Sequence, residues 1–263
     1  MWSGSRFEAV EPHMGTLVGV TLYARNAAEA RAAFGRAFAR IAYLDSLLSD
    51  YRADSEVSRL STTPMTISRE LQTVLRFARR VSEASEGAFD VTVGPLTQLW
   101  REKRPFTAQA QALVNWRDLH VENGKAWFAK PGMRVDLGAI GKGFAADEAA
   151  RAAGVDRVLI AASGDIVCRE APPGEKGWRV EAAGKVLTLR HAAVSTSGDS
   201  RQFFEKDGRR YSHIIDPRKG ASMTENIEVS VVARNGLTAD ALATALRVTG
   251  DDRLLSRFDA RRV

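Results

Sequence analysis

Apolar and polar residues alternate over Leu17–Ala24, which predicts a half-buried strand, with the turn Met14-Gly15-Thr16 just ahead of it. From Ala27 to Leu48 the period changes. Ala30, Ala33, Phe34, Ala37, Phe38, Ile41, Leu44 and Leu48 fall at helical spacing, the pattern of a long amphipathic helix lying on a sheet. Ser68, with Glu70 just inside, starts a second helix that carries Leu71, Val74, Leu75, Ala78 and Val81. Pro95 opens a short helix that ends near Trp100. Residues 101–121 are mixed and basic and read as an insertion or a short helical segment. Ala126–Ala129 and Met133–Asp136 then bracket Pro131-Gly132, which reads as a hairpin.

A helix over Phe144–Ala153 follows, then a strand over Arg157–Ala162 and a turn at Ser163-Gly164-Asp165. Further strands are expected over Trp178–Ala182, Lys185–Leu189, Ala193–Ser195 and Ile227–Ala233, with a helix from Ala239 to Val248 and a short helix closing the chain. Strands gather in antiparallel-looking groups with helices between only some of them. The fold class is therefore α+β: mixed, largely antiparallel sheets packed with helices. No fixed-period repeat is present.

Composition narrows the function classes. A chain of 263 residues, 44% hydrophobic and 27% charged, buries a substantial core and has the make-up of an ordinary soluble protein. The formal charge of +6 suits an anionic partner, but the basic residues are spread along the chain. Their densest cluster, Arg253, Arg257, Arg261 and Arg262, reads as a solvated last helix, so no nucleic-acid partner is expected. A single cysteine, Cys168, excludes a disulfide framework and any cysteine-cluster metal site, and Asp165–Cys168 reads as a strand with a small core residue. Residues 1–8 lack a charged region followed by an apolar stretch, and no run approaches transmembrane length. No export signal or membrane segment is read, which leaves a cytoplasmic protein and a processed exported form both open.

Three stretches can carry chemistry. Tyr211–Gly220 holds one of only four histidines, His213, three residues before Asp216, in an apolar run closed by Pro217 and Gly220. Read blandly it is a surface hairpin with a satisfied histidine. Asp136–Asp147 is a strand end, a glycine-rich turn and a helix start, which aims backbone N–H groups and Lys142 at one point and suits a phosphate. It is not a Walker A loop, because Gly143 stands where a Ser or Thr would hold magnesium. A tight packing turn is the plain alternative. Asp240 and Thr244, at i and i+4, share one helix face and could hold a hard cation through oxygen. Alternatively Thr238 is an N-cap and Asp240 a first-turn acid. The turns Ser163–Asp165 and Ser195–Asp199 are small and hydroxyl-rich, and neither is an esterase elbow.

Taken in order, Met14-Gly-Thr16, Asp50-Tyr-Arg52, Ser55–Arg59, Gly87-Ala-Phe-Asp90, the Asp136–Gly143 turn, Ser163-Gly-Asp165, Thr196-Ser-Gly198, His213–Pro217 with Gly220, and Thr238-Ala-Asp240 with Thr244 resemble the ApbE-type FAD:protein FMN transferases. The resemblance runs from about Met14 to Thr249, so a single domain over 14–263 is expected, after an N-terminal extension of residues 1–13. It implies cleavage of FAD at its pyrophosphate and transfer of FMN to a threonine or serine hydroxyl of an acceptor flavoprotein, with magnesium required and AMP released. It implies FAD contacts from Met14, Tyr51, Ala88, Phe89, Asp90, Asp136, Lys142 and the His213–Ile215 segment. Magnesium would be held by the Ala139 carbonyl and the Asp240 and Thr244 side chains. His213 would be the base for the acceptor hydroxyl, since an imidazole with its ordinary pKa of about 6.5 accepts a proton at neutral pH. Asp216 would either orient that ring or merely form its turn.

The chain departs from the family pattern in places. Ala243 stands where some relatives carry a second carboxylate before the threonine, and Ser163 where many have glycine. The acceptor pattern D-x-x-[ST]-G-A-[ST] does not occur in the chain, so self-modification at such a site is not expected. The same constellation would also serve an FAD pyrophosphatase, with water in place of the hydroxyl. A flavin-binding protein without turnover is a third reading, against which a retained base and metal pair argue.

Overall fold

The computed structural model describes residues 4–198 and 202–263; Asp199, at the end of one hydroxyl-rich turn, lies outside them. Strand β1 (Ser5–His13) and β2 (Thr16–Ala24) form a long hairpin, followed by helix α1 (Ala27–Leu48). After a loop come β3 (Met65–Thr66), α2 (Arg69–Ala84), α3 (Gly94–Arg101), α4 (Ala108–Gln111), β4 (Leu119–Glu122), β5 (Lys125–Phe128) and α5 (Gly141–Ala152). The second half holds β6 (Val158–Ala162), β7 (Asp165–Cys168), β8 (Trp178–Ala182), β9 (Lys185–Leu189), β10 (Ala192–Ser197), β11 (Phe203–Lys206), β12 (Arg209–Ser212), β13 (Ile215–Asp216), β14 (Ala221–Ser222) and β15 (Val229–Ala233). Helices α6 (Gly236–Thr249) and α7 (Arg253–Ser256) and strand β16 (Arg261–Arg262) close the chain.

The main sheet has seven strands in the order β1-β2-β6-β7-β10-β15-β16, each antiparallel to its neighbours. The α+β reading therefore holds. One face of the sheet is covered by α1, α5 and α6, and its core is Val18, Val20, Leu22, Ile160 and Val167 against Ala33, Ala37, Phe38, Ile41 and Ala149. Alanine on the facing helices lets them approach the sheet and each other closely. The opposite face is partly covered by the β8–β9 hairpin, which lays Trp178, Val180 and Leu189 on Cys168, Val194 and Val232. Cys168 is thus a buried core residue, and burial pushes its thiol up to about 12. A second core lies beyond the end of α1, where Leu44 and Leu48 meet α2, β5 and the outer side of α6 at Leu242 and Leu246. No helix among the described residues is long and apolar enough to cross a membrane.

Several elements differ from the sequence reading. The hairpin expected at Pro131-Gly132 is instead at Asn123-Gly124, where β4 pairs with β5. Both residues there have positive φ, 50° and 73°, the twist that a two-residue hairpin needs and that Asn-Gly supplies. Met133–Asp136 forms no strand beyond a single bridge of Arg134 to Val93. Strand β1 was not anticipated, and it is an exposed edge. Helix α6 begins at Gly236, not Ala239, because Asn235 is its cap: the Asn235 side chain accepts from Thr238 N at 2.8 Å. Thr238 is therefore not the N-cap. Helix α5 likewise begins at Gly141, three residues before the expected start.

Candidate functional site

The β1–β2 turn, the β6–β7 turn and the end of β10 all lie at one end of the main sheet, as the antiparallel register requires. Helix α5 starts there too. Met14, with φ 50° in the first turn, lies over the glycine segment: a Cβ on Gly141 would stand 3.7 Å from its Cε. Helix α6 passes under the sheet so that its third-turn Thr244 meets Ser197 at the end of β10, Oγ1 to Oγ 3.2 Å.

Gly143 is at the contact of α5 with α6. A Cβ there would fall 2.1 Å from the Gly236 carbonyl oxygen, so only glycine fits. That approach brings the Gly143 N–H to Asp240 Oδ2 at 2.9 Å. The first N–H groups of α6 are consumed separately, since Asp147 accepts from Gly236 N at 2.7 Å and Leu237 N at 2.9 Å.

Lys142 is held over the same point. Its Nζ donates to the Gly138 carbonyl at 2.9 Å and lies 3.5 Å from Asp165 Oδ2. Ser195 Oγ donates to the other Asp165 oxygen. Asp165 and Asp240 are both nearly fully buried. Burial pushes the Asp240 carboxyl up to about 7, and the Asp165 charge adds to this, against the opposing pull of Lys142 and the Gly143 N–H. Burial would lower the Lys142 ammonium, but Asp240 and Asp165 outweigh it and raise it. With Asp240 ionised, its carboxylate, that of Asp165 and the one ammonium leave this cluster one negative charge in excess.

A second cluster adjoins it through the glycine turn. Asp136 Oδ1 accepts from Gly138 N at 2.8 Å, and its Oδ2 accepts from Arg101 Nη2 at 2.8 Å. Arg101 Nη1 donates to Asp50 Oδ2 at 2.6 Å, and the guanidinium lies 4.0 Å from the centre of the Tyr51 ring. Tyr51 is otherwise exposed, 77% of it, so its outer face is an aromatic platform backed by a cation. Burial and the neighbouring Asp136 charge raise the Asp50 carboxyl against the pull of Arg101. The loop carrying Tyr51 is fixed by buried Glu56, which accepts from Ser68 N at 2.8 Å.

Ala88, Phe89 and Asp90 have buried side chains. Ala88 packs with Ile214 and Val248, and Phe89 lies in the second core. Asp90 organises its own loop, accepting from Thr92 N and Oγ1 at 2.7 Å and from Trp116 N at 2.9 Å. Ile215 is buried against Leu96, Leu99 and Ala110. His213 sits between β12 and β13, its ring 6.1 Å from that of Trp100, the residue before Arg101. The His213 Nδ1 is 3.0 Å from the Gln202 carbonyl. A carbonyl only accepts, so Nδ1 carries the proton and Nε2 is the basic nitrogen of the neutral ring. Asp216 does not orient it through that nitrogen: its carboxylate accepts from Arg218 N, Nε and Nη2 at 3.0–3.1 Å and forms the turn.

The structure therefore brings Met14, Ala139, Lys142, Asp240 and Thr244 to one end of the sheet, with Asp136 and Tyr51 beside them. His213 approaches from a separate hairpin. Arg101 and Asp165 were not singled out from sequence. Arg101 opens the mixed, basic stretch 101–121, and Asp165 enters the sequence reading only through the Ser163-Gly164-Asp165 turn motif and the strand that follows it. Among the described residues no group of three or more His, Cys, Asp or Glu side chains could hold a metal. Any cation here would rely on carbonyl and hydroxyl oxygens as well, and that donor set suits a hard ion such as magnesium. A cavity of about 200 Å³ between α2 and β4, lined by Arg79, Trp116 and Val121, lies apart from these groups.

A glycine turn, a half-buried lysine against two buried carboxylates and an aromatic platform thus come together at one sheet end. The chain belongs to the ApbE family, whose pattern matches residues 14–262. It is 32% identical over 271 residues to the FAD:protein FMN transferase of Klebsiella pneumoniae, an alignment covering 91% of this chain and 77% of that protein. A mutant of the flavin transferase ApbE from Vibrio cholerae superposes with a TM-score of 0.85 at 30% identity, over 96% of this chain and 90% of that one. The apo flavinyl transferase ApbE of Pseudomonas stutzeri gives 0.84 at 29% identity, over 97% and 88%.

Proposed function

We propose that this protein is a magnesium-dependent FAD:protein FMN transferase. The observation that carries the reading is half-buried Lys142 against the buried carboxylates of Asp165 and Asp240, one negative charge in excess once Asp240 is ionised, beside a glycine turn. A cation there has an electrostatic reason to bind, and the pyrophosphate of FAD has the Lys142 ammonium to meet. The enzymes named as relatives are FAD:protein FMN transferases, which supports the same substrate.

In this reading Tyr51, backed by Arg101, stacks against an aromatic ring of FAD, and Met14 borders the glycine turn. Lys142 neutralises charge on the pyrophosphate. Asp240, Thr244 and the Ala139 carbonyl hold magnesium, which when bound offsets the charge that develops on the phosphate oxygens. His213 Nε2 takes the proton of a serine or threonine hydroxyl of the acceptor protein. The hydroxyl oxygen bonds to the FMN phosphorus, the pyrophosphate P–O bond breaks, and AMP leaves with the electron pair.

The test is intact-mass spectrometry of an acceptor protein bearing D-x-x-[ST]-G-A-[ST], incubated with this protein, FAD and magnesium. The expected result is a gain of one FMN that is lost without magnesium. Release of FMN and AMP with no gain would replace the transferase by a pyrophosphatase. Intact FAD would leave a flavin-binding protein.

A further inference from the structure

The hairpin of β11 and β12 forms a two-stranded sheet outside the main one. It closes on Asp207-Gly208, with φ 50° and 72°, the tight turn that Asp-Gly favours. On its inner side β12 is continued into further pairing, with Ser212 N donating to the Met223 carbonyl at 3.0 Å and Met223 N to the Ile214 carbonyl at 2.8 Å. The outer side of β11 has no strand beside it among the described residues.

The phase of that open edge can be read from one bond. His213 N donates to the Gln202 carbonyl at 3.1 Å, which makes Gln202 and His213 a hydrogen-bonded pair. Hydrogen-bonded and non-hydrogen-bonded pairs alternate in an antiparallel ladder. Given the register of Phe203 with Ser212 and Glu205 with Arg210, these two are the non-hydrogen-bonded pairs. The N–H and C=O groups of Phe203 and Glu205 therefore point away from β12, along the open edge.

The edge is also held rigidly against His213. The Gln202 carbonyl meets both the backbone N–H and Nδ1 of His213. Behind it Phe204 stacks on Tyr211 at 5.2 Å and lies 5.8 Å from Trp100, whose Nε1 donates to the Tyr211 carbonyl at 3.3 Å. On the outward face Phe203 is 39% exposed, with the Arg210 guanidinium 3.6 Å from its ring centre.

We propose that the outer edge of β11 receives an extended segment of the acceptor protein as an added strand, which delivers its serine or threonine hydroxyl to His213. The proposal rests on the transferase reading, because that reaction needs a second protein at His213. Main-chain pairing gives affinity with little demand on sequence, and alternate side chains give selectivity. Here Phe203, 39% exposed, offers an apolar contact, and Lys206 and Arg209 beside the turn favour a segment carrying acidic residues.

Glu205→Pro tests this directly. It removes only an outward N–H, so the hairpin keeps its own ladder. Glu205→Ala is the control for the side chain. With FAD, magnesium and an acceptor protein bearing the D-x-x-[ST]-G-A-[ST] motif, Glu205→Pro is expected to lower kcat/KM for the acceptor at least about tenfold, the loss expected when an added strand is blocked. FAD affinity and melting temperature should stay at wild-type values, and Glu205→Ala should transfer normally. Unchanged transfer by Glu205→Pro overturns the proposal.

Hydrogen exchange on the wild-type protein gives a second measure that does not depend on turnover. The amides of Phe203 and Glu205 should slow when the acceptor is added. No slowing, or slowing that depends only on this protein's own concentration, overturns the proposal; the latter would mean that copies of the chain pair through β11. If the wild-type protein transfers no FMN, the transferase reading fails, and exchange protection still decides whether the edge takes the acceptor segment.

Discussion

Gly143 and Gly236 meet backbone to backbone, so closely that a Cβ on either would stand within 2.3 Å of the other's carbonyl oxygen. The contact sets α5 and α6 at the spacing that lets the Gly143 N–H reach Asp240. Gly143→Ala must push the helices apart, at a cost of about 1–3 kcal/mol or more. Thermal unfolding should show a melting temperature lower by roughly 2–10 °C. Turnover of FAD should fall further than stability alone explains, because Asp240 moves with the helix.

Asp240→Asn should abolish the response to magnesium while stabilising the metal-free protein at alkaline pH. Burial raises the Asp240 carboxyl to about 7, so the folded state binds this proton more tightly than the unfolded chain. Stability from this group is fully present below pH about 4 and is lost as pH rises through about 7. Asparagine removes that slope, which is worth at most about 4 kcal/mol for a shift of roughly three units. Urea unfolding of both proteins at pH 5 and pH 8, each without magnesium, measures it. Parallel losses between the two pH values would count against the charge argument.

Arg101→Ala leaves Asp50 and Asp136 facing each other with no cation between them, and it removes the backing of Tyr51. Because Arg101 is partly exposed, the expected loss of stability is modest, about 1 kcal/mol. Affinity for FAD, followed by fluorescence titration, should fall roughly tenfold, and Arg101→Lys should not restore it, since an ammonium cannot bridge two carboxylates in a fork.

His213→Gln should reduce FMN transfer to the acceptor by about 100-fold or more while leaving FAD affinity near wild type. Glutamine can hydrogen-bond but cannot take the proton. Single-turnover transfer alongside FAD titration separates the two effects, and equal transfer rates would leave His213 a purely structural residue.

The helices that bury a continuous apolar face were legible from spacing alone. Helix α1 has the expected limits, and Ser68 caps α2 as read, accepting from Leu71 N. Edges and turns were less so. Strand β1 carries Arg6, Glu8, Glu11 and Pro12 because it faces solvent, and an edge strand has little apolar alternation to show. Pro131-Gly132 mimics a hairpin signal, whereas Asn123-Gly124, a stronger one, lies just past the mixed stretch 101–121. At the site, local motifs announced the glycine turn and the Asp240–Thr244 face. What they could not announce was the pairing of distant charges: Arg101 reaches Asp50 and Asp136 across 51 and 35 positions, and Asp165 reaches Lys142 of α5 from the start of β7. Ala243, where a further carboxylate was noted as missing, is fully buried in the second core, and Asp165 supplies a carboxylate to the cluster from the sheet instead.

Strand β1 also fixes how the molecule can be tethered. Ser5 pairs with Ala24 at one end of the sheet and His13 with Thr16 at the other, next to Met14. Nine residues of strand span about 30 Å. A tether attached at Ser5 would therefore start about 30 Å from Met14, at the opposite end of the sheet from the glycine turn and Lys142, and would leave that end to whatever approaches from solution.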